Sequence, residues 1–116
     1  MTIKRHETGP RMSEAVVHGN TIYLAGQVAD NPVPSVGEQT KQVLAQIDAL
    51  LAACGSDKSK LLSANIWLTD IRRFDEMNAA WDAWVAPGHT PARATVQAAL
   101  AGPQYLVEIM VVAARD

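Results

Sequence analysis

The sequence predicts an α+β fold in which two amphipathic helices cover one face of a sheet. Three features carry that prediction: β-branched runs bounded by turn residues, two stretches with apolar residues at helical spacing, and a final strand with apolar side chains on both faces. A chain of 116 residues has room for one domain, residues 1–116. Its 48% apolar and 19% charged content is that of a folded globular chain.

Taken in order, residues 15–18 and 21–25 are short β-branched runs separated by Gly19-Asn20, a pair suited to a two-residue hairpin turn. Residues 3–6 add a possible edge strand. After the Asp30-Asn31-Pro32-Val33-Pro34 breaker, Ser35 and Glu38 stand three apart as a capping box. Val36, Thr40, Val43, Leu44, Ile47, Leu50 and Leu51 then recur at helical spacing, and Gly55 supplies a C-terminal stop. Residues 61–68 alternate as a strand. The second helical stripe is Ile71, Phe74, Met77, Asn78, Trp81, Trp84 and Val85, ended by the Pro87–Pro91 breaker cluster. Two last strands, 92–99 and 105–113, are expected to form an antiparallel hairpin around Gly102-Pro103.

The final strand places Tyr105, Val107, Ile109 and Val111 on one face and Leu106, Met110 and Val112 on the other. Both faces call for burial. Two helices cover one side of so small a sheet, so the other is expected to be covered by copies of the same chain. Glu108 interrupts that second apolar face, where a charge is costly unless it is paired or hydrogen-bonded. In the expected hairpin register Gln97 lies opposite Glu108 and Thr95 opposite Met110, with Arg93 on the same face. Such a surface is either a small polar pocket or the place of a structural ion pair between subunits. As a pocket, Arg93 would receive a substrate carboxylate in a two-point contact, and Glu108 would act as the acid/base or water-orienting group.

Asn78 lies on the apolar stripe of the second helix, where a buried amide needs a partner. A helix-to-strand hydrogen bond and a direct role in the site both account for it. Gly26 ends a strand, and its bare backbone suits either a bulge or the close approach of a ligand. His6, His18 and His89 are too far apart in sequence for a metal-ligand motif, so no metal is expected. Trp67, Trp81 and Trp84 read as core or interface anchors, and Cys54 as an inert thiol. Twelve acidic against ten basic residues give a net charge of -2, which offers no grip on a nucleic-acid backbone. No window approaches the ~20 apolar residues of a membrane span. Residues 1–5 lack the apolar run of a secretory signal, so a cytoplasmic protein is expected.

Pro91-Ala92-Arg93-Ala94-Thr95-Val96, followed by Val107-Glu108-Ile109, resembles the reactive intermediate deaminase family, RidA/YjgF. The likeness extends to Ala25-Gly26-Gln27, the Glu38-Gln39-Thr40 helix start, and Phe74 with Asn78, and so covers nearly the whole chain. The 78–85 stretch is most similar to the YoaB-like branch. The resemblance implies a chorismate-mutase-like α+β fold, a six-stranded mixed sheet with two helices on one face, assembled as a homotrimer with sites between subunits. It also implies hydrolysis of 2-enamino and 2-imino acids such as 2-aminoacrylate to 2-oxo acids and ammonium, without metal or organic cofactor. By the same resemblance Arg93 would bind the substrate carboxylate and Glu108 would help activate water. Thr95 would offer backbone groups, Gly26 a backbone contact, and Asn78 would line or support the cleft. Many relatives have Cys where this chain has Thr95, and Tyr where it has Arg11 or, with an offset of one, Met12. Arg11 would then be either a cation for a second anionic group of the substrate or a solvated surface residue. A non-catalytic trimer that binds or senses 2-oxo acids is the alternative to the enzyme. Ribonuclease activity, also attached to the family's naming, is disfavoured by the charge balance.

Overall fold

The computed structural model describes residues 1–116, which form β1 (Ile3–Thr8), β2 (Ser13–His18), β3 (Thr21–Leu24), α1 (Val36–Ala53), β4 (Leu61–Leu68), α2 (Phe74–Trp84), β5 (Ala92–Gln97) and β6 (Val107–Ala114). Short 3-10 turns at Lys58–Lys60 and Ile71–Arg73 lead into β4 and α2. The six strands make one mixed sheet in the order β1-β2-β3-β6-β4-β5.

Local chemistry explains most boundaries. Gly19 alone takes a positive φ in the turn between β2 and β3, the II′ pattern that matches strand twist. Ser35 accepts a hydrogen bond from the Glu38 amide and opens α1. Gly55, at φ +79°, closes it: its amide reaches the Ala52 carbonyl and that of Ser56 reaches Leu51, a Schellman pair. Asp70 caps the turn before α2 by accepting from the Arg72 amide and guanidinium, and this pairing holds its carboxyl below the usual carboxylate range.

Both helices lie on one face. Val43, Leu44, Ile47 and Leu51 of α1 and Met77 and Trp81 of α2 bury against Val17, Ile22, Ile66, Leu68, Ile109 and Val111 of the sheet. β6, apolar on both sides, occupies the centre between β3 and β4, antiparallel to each. The face away from the helices has no cover within the chain. Val16, Trp67, Met110 and Val112 are half-buried there, while Tyr23 and Val96 remain 49% and 50% exposed.

The expected hairpin of the last two strands is not formed. β5 pairs in parallel with β4, and β4 stands between β5 and β6. The reason is the helix: a strand, a crossing helix and a second strand form a parallel unit, and β4-α2-β5 is such a unit. The segment between β5 and β6 instead arches back, held by Gln39, which is fully buried in α1. Its amide donates to the Val33 and Gln104 carbonyls and accepts from the Leu106 amide.

Candidate functional site

The parallel pairing of β5 relocates Arg93. Its register partner is Ala64, buried beneath the helices, so Arg93 projects to the helix side of the sheet. Glu108 projects to the opposite side, since its neighbours Val107 and Ile109 are buried under the helices and its own partner is Trp67. The expectation that Arg93, Thr95 and Gln97 share a face with Glu108 is therefore corrected. Within one chain the guanidinium and the carboxylate point away from each other.

Arg93 lies along a stripe of α2 formed by Phe74, Asn78 and Trp81, residues at helical positions i, i+4 and i+7. Its Nη1 donates to Asn78 Oδ1 at 2.8 Å. Its guanidinium carbon stands 5.7 Å from the centroid of Phe74 and 5.2 Å from that of Trp81. No carboxylate pairs with it among the ion pairs of the chain. A long cationic side chain thus has its plane fixed and its charge left unanswered. Asn78 makes the helix-to-strand hydrogen bond of the first reading, and its partner is Arg93. Phe74 and Trp81 were legible only as parts of a buried stripe. Their spacing beside an amide, facing an arginine, is the signal that would have marked them as a clamp.

Glu108 is built from the other end. After β3 the chain kinks through Ala25 and Gly26 so that Gln27 bridges Ile109, with Gln27 N to Ile109 O at 2.8 Å and Ile109 N to Gln27 O at 3.1 Å. This brings the bare Gly26 backbone against the Glu108 side chain. A Cβ placed on Gly26 would overlap Glu108 Oε2 and stand 3.0 Å from its Cδ. The Glu108 carboxylate has no hydrogen-bond or ion-pair partner in the chain, though its side chain is half-buried. Gly26 carries no positive φ, so alanine is compatible with the backbone and only the carboxylate must yield. Gly26→Ala is expected to leave the melting temperature nearly unchanged and to lower kcat/KM about ten- to a hundredfold by displacing the carboxylate. Thermal melts beside steady-state kinetics check both halves.

Thr95 pairs with Ile66 on the helix side, and its Oγ1 is buried with no hydrogen-bond partner. A hydroxyl sealed in this way cannot meet a ligand, which leaves only the Thr95 backbone for that purpose. Thr95→Val is expected to be neutral or stabilising by about 1 kcal/mol, since it removes an unpaired buried polar atom. Activity and thermal melts of the variant test this. Arg11 sits exposed in the turn between β1 and β2 and makes no ion pair or side-chain hydrogen bond. Met12 beside it is half-exposed. Cys54 is buried at the end of α1, and burial pushes its thiol up, partly offset by Arg115.

Neither Arg93 nor Glu108 lines any of the larger clefts of the single chain. The largest of these, about 740 Å³, lies between α1 and α2. No helix is long and apolar enough to cross a membrane.

Comparison with known proteins agrees with this architecture. Residues 2–115 match the family model described as Endoribonuclease L-PSP. The chain is 52% identical over 114 residues to the RutC family protein YoaB of Escherichia coli, covering 98% of this chain and 99% of that one. It superposes with a TM-score of 0.97 and 51% identity on a YjgF family protein from Neisseria meningitidis, covering 100% of this chain and 97% of the other. A member of the conserved Rid protein family from Yersinia pestis is similar at 30% identity and a TM-score of 0.86, over 92% of this chain and 90% of its own. With the family model spanning almost every residue and the fold shared throughout, the chain belongs to the RidA/YjgF/RutC family.

Proposed function

We propose that this protein hydrolyses 2-imino acids, and 2-enamino acids such as 2-aminoacrylate after they tautomerise, to 2-oxo acids and ammonium. The observation that carries this reading is the Arg93 guanidinium, oriented by Asn78 and two aromatic rings yet paired with no carboxylate of its own chain. An arginine fixed in this manner offers its remaining edge to a planar anion in a two-point contact. The Arg93 and Glu108 of one chain face opposite ways, so a site containing both takes Arg93 from one copy and Glu108, with Gly26, from another. The uncovered apolar face of the sheet supports such an assembly, and a homotrimer is the form we propose.

In this site Arg93 holds the substrate carboxylate and Glu108 accepts a proton from the attacking water. The substrate reacts as its protonated imine, C=NH2+: the water oxygen bonds to that carbon, and the C=N π pair moves to nitrogen to give a neutral carbinolamine. Glu108 then returns its proton to that nitrogen, the C–N bond breaks, and the departing ammonia takes the hydroxyl proton, leaving the 2-oxo acid and ammonium. An imine carbon is already electrophilic, so orientation and a single proton shuttle suffice. No organic cofactor or metal enters this scheme.

The test couples the protein to an amino-acid oxidase that releases imines and follows the 2-oxo acid against time. Acceleration over spontaneous hydrolysis is the expected result, and an unchanged rate for every imine would remove the activity. The endoribonuclease name of the family model points to another chemistry, but a net charge of -2 gives RNA no electrostatic hold. RNA cleavage that persists in Arg93→Ala would belong to a contaminant.

A further inference from the structure

We infer that Gln27 is the positioning residue for the Glu108 carboxylate: its side-chain amide holds the Ala25-Gly26-Gln27 turn where the bare Gly26 backbone meets that carboxylate. Its bearing on catalysis rests on the reading of Glu108 as the group that takes a proton from water. Gln27 is 6% exposed, and an amide buried that deeply needs partners. It has three. Its Nε2 donates to Glu14 Oε2 at 2.8 Å and to the Ala25 carbonyl at 3.1 Å, and its Oε1 accepts from Gln46 Nε2 at 3.3 Å. The bond to Ala25 closes a small ring across Gly26. The other two tie that ring to β2 through Glu14 and to α1 through Gln46.

The helix extends this grip along the segment. Gln46 Nε2 also donates to the Val28 carbonyl at 2.9 Å, and its Oε1 accepts from the Asp30 amide at 3.1 Å. Gln42, one helical turn earlier, donates to the Asn31 carbonyl at 2.8 Å and accepts from the Asn31 amide at 3.0 Å. Close packing does not hold the turn, because a cleft of about 460 Å³ opens beside it, lined by Gly26, Gln27, Glu14 and Gln46. Hydrogen bonds fix it instead. The main chain carries the result to the site, since Gln27 pairs with Ile109, the residue after Glu108. Gly26 stands so near that a Cβ on it would overlap Glu108 Oε2. The carboxylate has no hydrogen bond or ion pair of its own in the chain, so this contact is the chain's hold on its orientation.

Gln27→Met keeps the length of the side chain and the backbone bridge to Ile109 but loses all three amide hydrogen bonds. In the intact protein kcat for imine hydrolysis is expected to fall about tenfold, with pyruvate affinity within about threefold of the parent because Arg93 is untouched. Gly26→Ala displaces the carboxylate by itself, so adding Gln27→Met to it is expected to cost less than about threefold more. The side-chain carboxyl carbon resonance of Glu108, identified by its absence from Glu108→Gln, reads the carboxylate without turnover and is expected to move in Gln27→Met. If Gln27→Met does not fold, Glu14→Ala and Gln46→Ala, each of which removes one partner, carry the same measurements with kcat losses of about threefold. An unmoved Glu108 resonance, or a full tenfold loss repeated on top of Gly26→Ala, overturns the inference and leaves the role of Glu108 standing. A moved resonance in a protein that hydrolyses no imine sustains the hold of Gln27 on the carboxylate and removes only the deaminase reading.

Discussion

Arg93→Lys is expected to lower kcat/KM for imine hydrolysis by about a hundredfold, with little change in the assembly of the protein. Lysine keeps the charge and loses three things at once. It cannot present two parallel N–H donors to a carboxylate, it has no plane to lie between Phe74 and Trp81, and its ammonium does not reproduce the Nη1 contact to Asn78. A charged hydrogen bond is worth about 1.5–3 kcal/mol, and the loss of one arm of a two-point contact accounts for most of the effect. The alternative role raised by the sequence, an ion pair between subunits, predicts the reverse: lysine would preserve it and the activity would survive. Steady-state kinetics with the oxidase-coupled assay, beside sedimentation of the variant, distinguishes the two.

Glu108→Gln is expected to reduce kcat by about two to three orders of magnitude while leaving 2-oxo acid affinity within a few-fold of the parent. The amide has the shape and volume of the carboxylate and still fits against Gly26, so packing is kept. It cannot take a proton from water. A loss confined to kcat marks a group that acts on the reacting atoms, and a loss confined to KM would mark one that only binds.

Much of the fold was legible because the signals are local. Gly19-Asn20, the Ser35 cap and the Gly55 stop each act within a few residues, and each stands where its chemistry requires. The doubly apolar β6 called for cover on both faces, and it stands inside the sheet between β3 and β4 with the helices over one of them. The neighbour of β5 was not legible. Alternation within a strand tells which residues share its faces, but not which strand lies alongside, and Ala92-Arg93-Ala94-Thr95-Val96-Gln97 carries no apolar stripe to orient it. Choosing β6 as the partner in place of β4 put Arg93 on the wrong side of the sheet.

That error bears on the site itself. A hairpin would have made Arg93 and Glu108 companions within one chain, whereas the crossover through α2 separates them, so the pocket we propose has to draw on two chains. The residue types that suggested the chemistry were visible in sequence. Their grouping depends on strand order, and the Phe74, Asn78 and Trp81 clamp depends on packing that spacing alone does not disclose.

Sharing between copies can be measured by subunit mixing. Arg93→Ala and Glu108→Gln, each inactive alone, are unfolded together in equal amounts and refolded. If each site draws its arginine and its glutamate from different copies, random assembly makes about one quarter of the sites wholly native, and about that fraction of the parent activity returns. A mixture that stays as inactive as its two components, in assemblies shown to contain both chains, would contradict a site built across the interface.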